Sequence, residues 1–292
     1  MTTYSRPRQF RPRIMGIVNV TPDSFSDGGQ FSGAQEAIAY GLRLLEEGAD
    51  ILDIGGESTR PGAEEVPVEQ ERSRVLPVIE ALASKTSVPI SIDSRKPDVA
   101  EAAVHAGASI WNDVSALTFD PSSLETAARL NCEIVLMHAK GSPATMQNDP
   151  FYDDVVSEVI SFLRERLKAC HEAGIKKNRL IADPGIGFGK NLDHNVALLA
   201  NLSGFEPLGV PLLVGASRKR FIAALDQEGP GESPDRGPGQ TRLGGSIAAA
   251  IIAAAANAAI VRVHDVAATR QALNVFSAVK AGGALTPEED MC

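Results

Sequence analysis

The sequence predicts a single (β/α)8 barrel, an α/β fold of the TIM-barrel class. Three observations carry that reading. Short runs rich in Val, Ile and Leu recur eight times, each run leads into a polar or glycine-containing loop, and stretches of helical periodicity separate most of the runs. Alternating strand and helix implies parallel pairing through right-handed crossovers, and eight such units in 292 residues favour closure into a barrel. An open doubly wound sheet is the structural alternative.

In chain order, the predicted strands are Ile14 to Val18, Ile51 to Ile54, Pro89 to Ile92, Ser109 to Trp111, Glu133 to Met137, Leu180 to Ala182, Pro211 to Val214 and Ala259 to Val263. Between the first two, Ala34 to Gly48 reads as an amphipathic helix. Ile38, Leu42 and Leu45 keep to one stripe, while Glu36, Arg43 and Glu47 face water. Asp154 to Glu172 repeats that pattern. Asp226 to Gln240 is rich in Gly, Pro and charge and reads as a mobile surface insertion between a short helix and a longer one. Ser246 to Ala258 is almost all Ala and Ile, a helix apolar on every side, which suggests burial against the barrel and also against a subunit partner. The expected division is a short N-terminal arm (1–13), one barrel domain (14–282) and a C-terminal tail (283–292).

Composition bounds the function. At 43% hydrophobic and 22% charged residues the chain is an ordinary globular protein. Ile247 to Val263, the nearest approach to a membrane span, is mostly alanine and carries Asn257 and Arg262. The arm holds Arg6, Arg8, Arg11 and Arg13 but no apolar stretch, so no secretory signal is expected. Cys132, Cys170 and Cys292 are too widely spaced for a disulfide framework or a structural zinc site, which suits a reducing cytoplasm. A net charge of −9 argues against nucleic acid or anionic lipid as partners, so an anionic ligand must meet a local group of cations.

The polar residues fall where a barrel would gather them. Asn19, Glu57 to Arg60, Asp93, Asn112 with Asp113, His138, Asp183, Ser217 to Lys219, and Arg262 with His264 all stand at the C-terminal ends of the apolar runs. In this fold those ends converge on one catalytic face. Residues two apart share a side of their strand, so Arg262 points with His264 and Ser91 with Asp93. Arg60, Lys190, Arg218, Lys219, Arg262 and His264 form a cationic set suited to paired phosphates. Asn19 could lend one oxygen to a Mg²⁺ that keeps its waters and binds ligand phosphates, although an Asn taken alone is more often a turn former.

Asp183-Pro-Gly-Ile-Gly-Phe-Gly-Lys190 looks like a phosphate loop but fits neither GxxxxGK[ST] nor GxGxxG. Its glycines suggest a tight turn and close approach to a flat ligand, with Phe188 available to stack. His105, His171 and His194 lie in helical stretches without metal-ligand spacing and are read as surface or packing residues. GxSxG is absent, and no cysteine has an evident base, so covalent acyl chemistry is unsupported.

Eight segments in order, MGIVNVTPDSFSDGG (15–29), GADILDIGGESTRPGA (48–63), SIDSRKPDVA (91–100), WNDVS (111–115), VLMH (135–138), DPGIGFGK (183–190), GASRKRF (215–221) and RVHD (262–265), resemble the dihydropteroate synthase family from Ile14 to about Val279. The resemblance implies a Mg²⁺-dependent transferase that joins a dihydropterin methyl diphosphate to p-aminobenzoate, on a pathway targeted by sulfonamides. It implies that Asp93, Asn112, Asp183 and Lys219 hold the pterin, with Met137 and Phe188 against its faces. Asn19, Thr59, Arg262 and His264 would meet the diphosphate, with Mg²⁺ on Asn19. Arg60, Pro61, Phe25, Phe188, Ser217 and Lys219 would bracket the aminobenzoate, with Gly215 also on the substrate. Catalysis would fall to Asp93, Asp183, Lys219, Arg262 and His264.

The family is usually dimeric, which again singles out Ser246 to Ala258. The loops TPDSFSDGG and STRPGAEEV read as lids that order on ligand binding. Two other functions use the same pattern: a methyltetrahydrofolate-handling methyltransferase, which has no need of Ser217 to Lys219 or of Arg262 and His264, and a catalytically silent pterin-binding paralogue, which should have lost a reacting residue.

Overall fold

Apolar runs with no alternation are what strands buried on both faces require, and all eight become parallel strands. The computed structural model describes residues 11–21, 30–58, 65–141, 146, 150–226 and 242–282. The strands are β1 (Arg13–Asn19), β2 (Ile51–Gly55), β3 (Ile90–Asp93), β4 (Ile110–Asp113), β5 (Glu133–Met137), β6 (Leu180–Asp183), β7 (Leu213–Val214) and β8 (Ile260–Val263). Neighbours in sequence pair from β1 to β6, β7 pairs with β8, and β8 returns to β1. The remaining seam is held by a parallel bridge between Ala182 and Leu212 and by the Ala182 N–H donating to the Pro211 carbonyl at 2.9 Å. The sheet is thus a closed barrel, as expected. β7 is shorter than the run Pro211 to Val214, Leu212 making only the isolated bridge to Ala182.

Nine α-helices cover the described part of the barrel: α1 (Gln30–Glu47), α2 (Val68–Ala83), α3 (Pro97–His105), α4 (Ser123–Arg129), α5 (Val155–Glu172), α6 (Leu192–Ala200), α7 (Arg220–Leu225), α8 (Leu243–Ala255) and α9 (Val266–Lys280). Their limits follow local chemistry. α1 stops at Gly48, whose φ of 99° ends the helical path. α5 begins where the Asp154 carboxylate accepts from Val156 N–H at 3.0 Å and Ser157 N–H at 3.1 Å. α6 begins with a reciprocal cap: Asn191 Oδ1 accepts from the His194 N–H at 2.9 Å, and His194 Nδ1 accepts from the Asn191 N–H at 3.3 Å. His194 is therefore a capping residue, while His105 and His171 are exposed.

α8 starts and ends three residues before the predicted limits of 246 and 258. Ser246, Ala249, Ala250, Ala253 and Ala254 face the barrel, whereas Ala248, Ile252 and Ala255 are exposed. One side of this apolar helix is thus buried within the chain and the other is not. Arg11 anchors the described end of the N-terminal arm on Asp50, at 2.8 and 2.9 Å. The rest of the arm, the insertion from 227 to 241 and the tail from 283 lie outside the described residues. No helix among the described residues is long and apolar enough to cross a membrane.

Two apolar layers hold the structure. The larger fills the space between strands and helices; the smaller lies inside the barrel and consists of Met15, Ile51, Ile110, Val135, Ile181, Leu213 and Ile260. Every strand but β3 contributes one residue to this inner plug, and at the same level β3 places Ser91, paired with Ile110. The plug fixes which side of each strand faces inward. Two residues further toward the C-terminal ends, that same side presents Asp53, Asp93, Asn112, Met137, Asp183, Gly215 and Arg262. Asn19 lies four residues beyond Met15, on the same side.

Candidate active site

An apolar floor capped by a polar layer is the first property of the site. Asp53, Asp93, Asn112 and Asp183 are all buried, so their charges and dipoles interact in a medium far less screening than water. Arg262 organises them. Its Nε donates to Asp53 Oδ2 at 2.6 Å and its Nη2 to Asp93 Oδ2 at 2.6 Å. Asn112 Nδ2 donates more weakly to both Asp53 oxygens, at 3.3 and 3.4 Å. Burial opposes the charge on Arg262, but Asp53 and Asp93 outweigh it and hold the guanidinium protonated well above its ordinary range.

Asp93 is the poised member. Burial pushes its carboxyl up to about 7, against the attraction of Arg262, and the nearby Asp53 carboxylate raises it further. Its Oδ1 is buried and meets no donor among the described residues. A buried acceptor without a donor is costly, and a ligand N–H placed there would remove that cost. Ser91 Oγ, one inward step below, is likewise buried without a partner.

On the far side, burial raises Asp183, whose Oδ1 accepts from the Gly185 N–H at 2.7 Å. Lys219 reaches the same loop. Its ammonium donates to the Ile186 carbonyl and lies 4.2 Å from the centre of the Phe188 ring. Burial lowers its pKa to about 7, with Asp183 opposing the fall and Arg262 adding to it. An aromatic face, an ammonium and a carboxylate thus share one wall.

The 183–190 loop corrects two expectations. Its glycines do not leave room for a ligand; they leave room for the protein. Gly185 has φ +68° and a Cβ there would overlap the His138 carbonyl, while a Cβ on Gly187, φ +82°, would lie 2.7 Å from Lys219 Cδ. Lys190, expected among the anion-binding cations, is instead buried inside the loop. Its Nζ bonds Gly185 O at 2.9 Å, Phe188 O at 3.0 Å and His138 Nδ1 at 2.9 Å. Burial drives the Lys190 pKa well down, and the same burial, with the Lys190 charge, brings His138 to about 3. Both side chains serve as an internal clamp.

Arg218 is a third correction. It too was expected to face the anion, yet it forms a two-pronged pair with Asp265, Nε to Oδ2 at 3.0 Å and Nη2 to Oδ1 at 2.5 Å. Asp113, grouped with Asn112 at the end of β4, points to the other side of that strand. Its carboxylate accepts from Ser115 N–H at 2.7 Å and Leu117 N–H at 2.8 Å and so shapes a turn. Arg262, expected to meet a diphosphate, does face the mouth, but here its charge is shared between two carboxylates.

The remaining expected residues are brought together. Ser217 Oγ sits 3.1 Å from His264 Nδ1 and also accepts from the His264 N–H at 3.2 Å, which ties the ends of β7 and β8. Gly215 allows the Arg262 stem to cross β7, with Cβ and Cδ 3.6 and 3.8 Å from where a Cβ would stand. Met137 is buried beside Gly185. Phe25, Thr59, Arg60 and Pro61, with most of both expected lid loops, lie outside the described residues. Asp53 is the functional residue that reading strand ends misses, because it stands inside the run Ile51 to Ile54. The signal was present: a lone acid two residues from Ile51 on a strand buried on both faces needs a partner.

The group implied as cofactor fits what is present. Among the described residues no cluster of three or more His, Cys, Asp or Glu could hold a metal. Above Gly55, however, Asn19 Oδ1 and Asp93 Oδ2 lie 3.9 and 3.7 Å from the place a Cβ would occupy. One amide oxygen beside a carboxylate suits Mg²⁺, which keeps most of its waters and takes phosphate oxygens as further ligands.

Comparison with known proteins supports the same reading. Residues 15–264 match the family described as pterin binding enzyme. The chain is 49% identical over 267 residues to the dihydropteroate synthase of Escherichia coli, covering 91% of each protein. The Xanthomonas albilineans dihydropteroate synthase, solved with 4-aminobenzoic acid, superposes with a TM-score of 0.85 at 55% identity, over 93% of this chain and 94% of that one. The Yersinia pestis dihydropteroate synthase, solved as a sulfonamide drug complex, gives a TM-score of 0.85 at 44% identity, over 96% and 98% of the two chains.

Proposed function

This chain belongs to the dihydropteroate synthases of the pterin-binding enzyme family, and we propose that its strand ends divide the reaction as follows. The enzyme condenses (7,8-dihydropterin-6-yl)methyl diphosphate with p-aminobenzoate and releases 7,8-dihydropteroate and diphosphate. The pterin enters above the inner apolar plug. Asp93 Oδ1 and the Asp183 carboxylate accept from its N–H groups, Asn112 flanks it, and Lys219 donates to its carbonyl. Met137 and Phe188 pack on its faces. The single observation that carries this is the buried Asp93 Oδ1 without a donor, set between Arg262 and the polar rim.

The diphosphate lies over the β1 and β8 ends, where Asn19, Arg262 and His264 meet it, with Thr59 as a further contact. Mg²⁺ held by Asn19 and the phosphates would draw negative charge from the leaving group. The C–O bond to the diphosphate breaks first, leaving a methylene cation stabilised by the pterin ring. The aromatic amine then forms the C–N bond and gives up a proton. Arg60, Pro61, Phe25, Phe188, Ser217 and Lys219 hold the aminobenzoate, with Gly215 also on the substrate. Catalysis is thus mostly placement and charge stabilisation by Asp93, Asp183, Lys219, Arg262 and His264.

The enzyme acts in the cytoplasm, in keeping with the unpaired, buried Cys132 and Cys170. It works as a homodimer joined through the open side of α8, where Ile252 is 45% exposed. Purified protein, both substrates and Mg²⁺ test the site reading directly by release of diphosphate. Release should need both substrates and the metal and collapse in Lys219→Ala. Full activity after chelation would remove the role given to Asn19, and pterin binding without release would favour the silent paralogue.

A further inference from the structure

Arg218 is the residue between Ser217 and Lys219, and it is the one member of that trio that does not face the pocket. Its backbone is left-handed, φ 58°, a conformation that a residue with a side chain adopts only when its surroundings enforce it. Those surroundings are specific. The Arg218 N–H donates to Ser246 Oγ at 2.9 Å, and that hydroxyl donates in turn to the Arg242 carbonyl at 2.7 Å. Arg242 Nη1 donates back to the Arg218 carbonyl at 2.9 Å. Both backbone groups of Arg218 are thereby fixed by the first turn of α8. Its guanidinium is fixed separately, by the two-pronged pair with Asp265, the residue that follows His264. Asp265 in turn draws the Arg218 pKa upward, chiefly through this hydrogen-bonded pair.

We infer that Arg218 is a positioning residue: held by Asp265 and by the Ser246 hydroxyl in a left-handed turn, it sets the direction in which Ser217 and Lys219 enter the site. The geometry supports this from both sides. Lys219 is the N-cap of α7, so a change in the Arg218 turn rotates the Lys219 stem directly. Ser217 contacts His264, whose neighbour Asp265 holds Arg218, so the ends of β7 and β8 are joined by two contacts rather than one. α8 cannot yield easily, because a Cβ on Gly245 would overlap Ile222 of α7. The inference rests on the roles proposed above for Ser217 and Lys219.

The test is steady-state diphosphate release by Arg218→Ala, Asp265→Ala, the double variant and Arg218→Lys, with Lys219→Ala beside them. Each single alanine variant should lose roughly 10²-fold in kcat/KM, the loss expected when reacting groups are misplaced by about 1 Å. The double variant should lose no more than either single one, because the two side chains act as a unit. Lysine at 218 keeps the charge but not the fork and should recover only part of the activity. In Arg218→Ala the pH limb belonging to Lys219 should also move, whereas simple destabilisation would lower the amplitude and leave the limb in place. A collapse in Lys219→Ala with wild-type behaviour in Arg218→Ala and Asp265→Ala overturns the inference alone. Full activity in Lys219→Ala instead overturns the site reading on which it rests.

Discussion

Arg262 of β8 and Asp93 of β3 meet across the barrel, Nη2 to Oδ2 at 2.6 Å, between strands that are not neighbours in the sheet. Asp53 of β2 accepts from Nε of the same guanidinium at 2.6 Å. One cation thus spans two carboxylates. Asp53 is fully buried, so Asp53→Ala should leave Arg262 underpaired and lower stability by on the order of 3 kcal/mol. Urea unfolding with an unchanged m-value measures it, and a loss below about 0.5 kcal/mol would show the pair to be dispensable.

Asp93 makes stability depend on pH. Its pKa rises from 3.8 to about 7 on folding, chiefly through burial, so the folded chain holds the proton more tightly than the unfolded one. The contribution is therefore fully present below pH 3.8 and is lost as pH rises through about 7. Asp93→Asn, neutral at every pH, should flatten the fall in thermal midpoint between those limits in ligand-free enzyme. An unchanged slope would locate the effect in another group.

Lys219 should shape the alkaline limb of kcat/KM, which reports groups in the free enzyme. Burial brings its pKa to about 7, and the donor to the pterin carbonyl is lost above that. Lys219→Arg keeps its proton, so activity, though reduced, should persist to higher pH. A variant whose limb coincides with that of the native chain would argue against Lys219 as the titrating donor.

Gly187→Ala should impair catalysis more than folding. The added methyl would sit 2.7 Å from Lys219 Cδ in a backbone with φ +82°, and the flexible lysine stem is the part that gives way. kcat/KM should fall by roughly 10²-fold with a preserved circular dichroism spectrum. Native kinetics would mean that Lys219 tolerates displacement.

Lys190→Met separates a clamp from an anion site. It removes the donor from the carbonyls of Gly185 and Phe188 inside the 183–190 loop, and stability should drop by about 1–3 kcal/mol. The salt dependence of substrate binding should stay as in the native enzyme, since the ammonium is buried and touches no solvent-facing anion site. A reduced salt dependence would return Lys190 to the diphosphate.

Much of this enzyme is written locally. The eight strands, their parallel pairing and the side of the barrel that carries the site follow from continuous apolar runs that end in polar residues, because strands buried on both faces have no other place for such groups. Strand parity likewise fixes that Asp93, Asn112, Asp183 and Arg262 point inward together. Tertiary structure decided how the cations are spent. Lys190, Arg218 and Arg262 look alike in the sequence, yet one closes a loop from within, one braces a left-handed turn against Asp265, and only Arg262 reaches the pocket. The partners that decide this are distant in sequence, Asp53 lying 209 residues from Arg262, and the energy of a charge depends on which partners and how much water the fold places around it.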